Sequence, residues 1–207
     1  MLRVGLTGGL GAGKSTVAGW LSEAGIPVLD ADQVAHQLLT PGAAGVAPVV
    51  AAFGPEMLDA AGHVDRAKLA ARVFADPGER RRLEAILHPR IIAATNQWLD
   101  EMERQGHATA VVEAALIFEA GTAHRFDRVI AVVCPPEQKL ARWLRAGGNR
   151  ADAEARLAAQ LPDAEKVRRA DWVVENATDL ADARRQTQAI IAQLLAVQLP
   201  DSGRPRR

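Results

Sequence analysis

A chain of 207 residues, 48% hydrophobic and 24% charged, is long enough to bury a core and too apolar to stay disordered. Its 25 Lys and Arg residues balance 25 Asp and Glu, which excludes the strongly basic footprint of a dedicated nucleic-acid binder. The single cysteine, Cys134, excludes an internal disulfide, and no apolar run reaches the roughly 18 residues of a membrane span. The N-terminus enters a strand-like run without a charged leader, so a soluble, cytoplasmic protein is expected, without nucleic-acid or membrane partners and acting as a monomer.

In chain order, residues 2–7 read as a strand, and residues 14–24 as a helix with Val17, Trp20, Leu21 and Ala24 on one face and Gly25 as its stop. A second strand is expected over 27–30 and a helix over 33–39. Residues 31–107 are far more than one crossover needs, and they read as a helical insertion. Within it, Asp76-Pro77-Gly78-Glu79 opens a helix that His88-Pro89 is expected to break, starting another with Ile91, Ile92, Thr95, Trp98, Leu99 and Met102 inward. Strands follow over 108–113, 128–133 and 171–175, short and valine-rich as strands buried on both faces are. Between the last two, residues 134–170 supply a helix over 136–145, a glycine pair and an arginine-rich helix over 150–161 that together read as a lid. A last helix over about 180–199 precedes a frayed tail, 200–207. The alternation of short strands and helices predicts a three-layer α/β/α fold on a five-stranded parallel sheet, its core formed by residues 1–30, 108–133 and 171–199.

Gly8-Gly9-Leu10-Gly11-Ala12-Gly13-Lys14-Ser15 fits G-x-x-x-x-G-K-[ST] and stands between a predicted strand and a predicted helix, where a phosphate loop must stand. Glycines let backbone N–H groups turn inward around phosphate oxygens, and the helix N-terminus adds its dipole. The amides of Gly9 through Thr16 are therefore the expected ATP contacts, with Lys14 reaching the β- and γ-phosphates and the Ser15 hydroxyl on Mg²⁺. A dinucleotide fingerprint is excluded, because Lys14 occupies the last glycine position after Gly9-Leu10-Gly11.

Asp30-Ala31-Asp32 closes the second strand at the edge where parallel sheets bind ligands. There Asp32 reads as the base that orients an acceptor hydroxyl and takes its proton, with helix capping as the plainer alternative. Glu113 ends the apolar run Ala110-Val111-Val112 and reads as the acid near Mg²⁺, while Phe118 and Glu119 follow at the same edge as candidate substrate contacts. Of the lid arginines Arg142, Arg145, Arg150 and Arg156, Arg145 is the leading candidate to neutralise the moving phosphoryl group. His88 is a candidate contact for an anionic acceptor and Asn176 for the nucleotide base.

Taken in order, Thr7 to Ser15, Asp30-Ala31-Asp32, Leu87-His88-Pro89, Val112 to Glu119, Arg156 to Gln160 and Ala170 to Asn176 resemble the dephospho-coenzyme A kinase family across nearly the whole chain. The resemblance implies a P-loop kinase that uses ATP and Mg²⁺ to phosphorylate the ribose 3′-hydroxyl of dephospho-CoA, the last step of coenzyme A synthesis. It places Asp32 at the family's proposed base and Arg145 at its lid arginine, and makes residues 31–107 the coenzyme-A-binding domain. The family often has a proline where this chain has Ala115, which predicts a less rigid loop there.

The residues alone also admit another small-metabolite or nucleoside monophosphate kinase, since spacing does not identify the acceptor. A GTP-dependent switch is the third reading. Its guanine motif Asn-Lys-x-Asp is approached by Asn176-Ala177-Thr178-Asp179, which lacks the lysine.

Overall fold

A computed structural model describes residues 1–177 and 179–196. Five parallel strands, β1 (Leu2–Gly8), β2 (Val28–Asp30), β3 (Thr109–Glu113), β4 (Arg128–Val133) and β5 (Trp172–Glu175), form one sheet in the order β2-β3-β1-β4-β5. The order reverses at β1, which pairs with β3 on one side and β4 on the other, so the C-terminal end of β1 is a topological switch point. The register sets Leu6 beside Glu113 and Gly8 beside Val132, which brings the ends of three strands to that point.

The chain divides into two compact units, one of Met1–Leu29 with the chain from Glu101 onward, the other of Asp30–Asp100. In the first, α1 (Lys14–Glu23) and α9 (Leu180–Leu195) cover one face of the sheet. Val4, Leu6, Val111, Ile130, Val132 and Val174 pack there against Val17, Leu21, Ala183, Ile190 and Leu194, all buried. Burying a side chain of this size contributes about 1.5–3 kcal/mol, which explains the valine-rich strands. The expected end of the last helix at Leu199, and the tail 200–207, lie outside the described residues.

The second unit holds α2 (Ala31–Gln37), α3 (Val46–Phe53), α4 (Arg66–Ala75) and most of α5 (Pro77–Arg104) around Leu39, Val49, Phe53, Met57, Val64, Leu69 and Leu87. Arg72 and Arg82 each lie over the Phe53 ring, at 5.6 and 5.7 Å from its centroid.

Two expectations about helices need correction. His88-Pro89 does not break the chain into two helices, since α5 runs through Pro89. Leu87, Thr95 and Leu99 are buried on both sides of the proline, so packing offsets the missing N–H, and Arg90 Nη1 donates to the Ile86 carbonyl at 2.6 Å in the same turn. Beyond α6 (Pro136–Arg145), the arginine-rich helix α7 (Arg150–Ala158) stops short of residue 161, and α8 (Asp163–Arg169) follows it. Pro162 forces the break by biasing Leu161 to an extended shape. With Val167 as its one large apolar residue, α8 shows no period that sequence reading could detect.

Candidate active site

The phosphate loop leaves β1 at the switch point and enters α1 through Gly13, whose φ of 101° is open to glycine and strained for other residues. A Cβ there would also run into the Asn176 amide. No side chain caps α1, as none caps α3, α6 or α8, while α4, α7 and α9 are capped by Asp65, Asn149 and Asp179. The first amides of α1 stand where a helix offers N–H groups to an external acceptor, although Thr16 N–H already donates to the Gly13 carbonyl at 3.1 Å. Ser15 is exposed in this first turn, between Lys14 and Thr16.

The loop is held from behind by two side chains. Asn176 Nδ2 donates to the Ala12 carbonyl at 2.8 Å. Arg142, in the last turn of α6, donates to the Gly11 and Ala12 carbonyls at 3.3 Å each and to the Asn176 carbonyl at 2.9 Å. The Cys134 thiol lies beneath, 3.8 Å from the Gly11 carbonyl, and burial pushes its pKa up, which keeps it neutral. Each group donates to loop carbonyls, while Ala12 N–H donates to the Gly9 carbonyl within the loop at 3.1 Å.

Several expected roles change with these positions. Asn176 is buried and its amide donates to the loop, so its side chain braces the phosphate site, and the residue also lines the cleft beside Arg142. Phe118 is 5% exposed with the Arg169 guanidinium 4.6 Å from its ring centroid, which makes it a packing residue and not a substrate contact. Glu119 is likewise turned inward: its Oε1 accepts from Leu161 N–H at 2.9 Å and from Lys166 Nζ at 2.7 Å. Burial alone would raise the Glu119 pKa, but these two donors outweigh it and hold the carboxyl below the usual range. The loop around Ala115 is fastened without the family's proline, because Thr7 Oγ1 donates to the Ala115 carbonyl at 3.2 Å and Thr122 N–H to that of Ile117 at 2.9 Å.

Asp30, not Asp32, caps α2, its Oδ1 accepting from Asp32 N–H at 2.8 Å and Gln33 N–H at 3.3 Å. That leaves the Asp32 carboxylate exposed in the first turn, and the helix begins earlier than residue 33. Glu113 stands at the tip of β3 beside Leu6, two residues before the end of β1. His88 is exposed on α5.

Arg145 is exposed at the end of α6 and lines a cleft of about 260 Å³ whose wall also includes Arg142, Asn176, Ala177, Asp179 and Leu180. Arg150 pairs with Glu154 at 3.6 Å and Arg156 with Asp152 at 2.9 Å, each within its own helix.

Sequence reading missed two lysines. Lys139 is buried with its Nζ 2.6 Å from both Asp163 oxygens, and Lys166 is wholly buried on Glu119. A lysine among the charged residues of α6 or α8 carries no mark of burial, so only the fold reveals these pairs.

The dephospho-CoA kinase family model matches residues 2–182. A dephospho-CoA kinase of Anaeromyxobacter dehalogenans is 46% identical over 175 residues, covering 84% of this chain and 83% of that one. The crystal structure of TT1252 from Thermus thermophilus is similar with a TM-score of 0.77 at 35% identity, over 93% of this chain and 97% of the other. A dephospho-CoA kinase from Campylobacter jejuni is similar with a TM-score of 0.70 at 27% identity, over 93% and 96%.

Proposed function

This chain belongs to the dephospho-CoA kinase family, and from that membership we propose how its residues divide the work of moving a phosphoryl group from ATP to the ribose 3′-hydroxyl of dephospho-CoA. The reaction is the last step of coenzyme A synthesis. The observation that supports the division best is the phosphate loop at the switch point, uncapped at α1 and braced through its carbonyls.

Within the loop from Gly9 to Thr16, the amides from Gly11 onward hold the phosphates of ATP, Leu10 N–H being taken by Gln160, and Lys14 sets its ammonium against the β- and γ-phosphates. The cleft beside Arg142 takes the base between Ala141, Ala177 and Leu180, with Asn176 and Asp179 as polar groups on the same wall. Arg145, at the rim of the same cleft, neutralises charge that spreads over the moving phosphoryl group. Asp32 aligns the sugar hydroxyl and accepts its proton as the new P–O bond forms, while ADP carries away the electrons of the bond that breaks. His88 is proposed to bind the anionic acceptor.

Ser15 and Glu113 are the residues proposed to hold Mg²⁺. Both are hard oxygen donors, and among the described residues no trio of His, Cys, Asp or Glu converges, as suits an ion that takes most ligands from phosphates and water. When bound, Mg²⁺ neutralises phosphate charge in the transition state. The enzyme is proposed to act as a cytoplasmic monomer. A cytoplasmic site is consistent with the metabolic reaction of the family.

The test is the identity of the phosphorylated product when the purified protein meets ATP, Mg²⁺ and, separately, dephospho-CoA, a nucleoside monophosphate or shikimate. Coenzyme A phosphorylated at the 3′ position is expected. Turnover of another acceptor in preference to dephospho-CoA would reject the assignment.

A further inference from the structure

Gln160 lies just beyond the end of α7, before the Leu161–Pro162 step into α8. Its Oε1 accepts the Leu10 N–H at 3.1 Å, joining the root of the arginine-bearing arm to the leading edge of the phosphate loop. The approach is close. A Cβ on Gly9 would stand 3.1 Å from that oxygen and 3.0 Å from Lys139 Nζ, so the loop offers an edge bare of side chains on which both groups rest.

The chain that follows Gln160 is fastened. Leu161 N–H and Lys166 Nζ both donate to Glu119 Oε1, and Asp163 receives Lys139 through both its oxygens. On the other side, α7 is reached through Gly147-Gly148, of which Gly147 has a φ of 86°. The arm is fastened at its entry by Trp143 Nε1, which donates to the Asn149 carbonyl at 2.9 Å, and at its exit by Glu119 and Asp163, and Gln160 at that exit touches the phosphate loop.

We propose that Gln160 is a positioning residue for phosphoryl transfer. By holding Leu10 N–H it seats the arm on the loop, so that the terminal phosphate is shielded from water while the acceptor hydroxyl is in place. The inference rests on the kinase reading and adds to it a residue that couples the arm to the loop. The Gly11–Thr16 amides and Lys14, which carry most of the nucleotide's phosphate charge, do not depend on Gln160. Its loss therefore acts on the fate of the phosphoryl group more than on nucleotide binding.

The experiment measures coenzyme A formed and inorganic phosphate released in the same reaction, with ADP affinity and Tm alongside, for the wild type, Gln160→Met and Gln160→Glu. Gln160→Met keeps the length and removes the acceptor. Its transfer rate should fall about tenfold and its phosphate released per coenzyme A should rise at least about fivefold, with ADP affinity within about twofold. Gln160→Glu retains an oxygen for Leu10 N–H beside Lys139 and should return that ratio to within about twofold of the wild type. An unchanged ratio in Gln160→Met, a Gln160→Glu protein as leaky as Gln160→Met, or parallel losses of rate, ADP affinity and Tm would each overturn the proposal. A wild type that hydrolyses ATP yet phosphorylates no dephospho-CoA would remove the kinase reading alone, and the variants' hydrolysis rates would still decide the role of Gln160.

Discussion

Arg142 Nη2 donates to the Asn176 carbonyl at 2.9 Å, and both side chains then donate to the carbonyl of Ala12. Helix α6 and the turn after β5 thereby grip one peptide of the phosphate loop, and the loop's shape is set before any nucleotide arrives. A planar guanidinium reaches several carbonyls at once, which an ammonium does not. Arg142→Lys should therefore raise the KM for ATP about tenfold, and Asn176→Ala should cost about 1–2 kcal/mol of stability by leaving buried carbonyl surface short of a donor. Steady-state kinetics and chemical denaturation check the two effects. A lysine variant with wild-type KM would show that the grip is not needed for binding.

Lys166 and Glu119 form a buried pair whose loss should be felt in stability. Lys166→Met leaves the Glu119 carboxylate buried without its cation and should cost about 3–5 kcal/mol, whereas pairing it with Glu119→Leu should recover part of that loss. The same carboxylate predicts a pH dependence. Its folded pKa lies below the ordinary glutamate value of 4.5, so its contribution is present above that pH and is lost as the pH falls through the lower, folded value. Glu119→Gln should flatten the acid limb of the stability curve, measured as Tm against pH.

What could be read from the sequence was local chemistry. Glycines, Lys14 and Ser15 in one short run specify a phosphate loop because every part of the mechanism lies within a few residues. Strand positions followed from valine-rich runs, and all five strands were found at the central residues expected. Pairings over long separations were not legible: Lys139 meets Asp163 across 24 positions and Lys166 meets Glu119 across 47. Phe118 and Glu119 were read as facing the substrate because they follow a strand at the ligand edge. They turn inward because α8 places Arg169 and Lys166 against them. Asn176 was assigned to the base by its place after β5, and only the fold shows its amide bound to Ala12.

Pro89 tests the balance between local preference and packing. A proline inside a helix costs about 3 kcal/mol or more in general, through its missing N–H and its clash with the preceding turn. The continuity of α5 means that burial of Leu87, Thr95 and Leu99 outweighs that cost here. Pro89→Ala should therefore raise stability by about 1–3 kcal/mol, read as a higher denaturation midpoint with an unchanged slope. A lower midpoint would indicate that the proline relieves strain in α5.

Lys14 and Arg145 differ in setting and should differ in consequence. Lys14 opens α1 within the loop, while Arg145 is exposed at the rim of the cleft. Each alanine variant should lower kcat, by about 10²–10³ for Lys14 and less for Arg145, whose guanidinium is the more solvated. Circular dichroism and Tm should match the wild type in Arg145→Ala. A kcat within twofold of wild type in that variant, a limit of about 0.4 kcal/mol in barrier, would remove Arg145 from the chemistry.

The two aspartates that flank Ala31 separate structure from chemistry. Asp30 Oδ1 accepts two backbone N–H groups at the start of α2, so Asp30→Ala should lower stability by about 1 kcal/mol, as the loss of a helix cap does. The Asp32 carboxylate is exposed and makes no part of that cap, its residue contributing only a backbone N–H. Asp32→Asn preserves the shape and removes the proton acceptor, so kcat should fall by about 10²–10⁴ while Tm and ATP affinity hold. The contrast is the test: stability should move with residue 30 and turnover with residue 32. If Asp32→Asn retains most of its kcat, the hydroxyl proton leaves by another route, and the acid at residue 32 serves only to position the sugar.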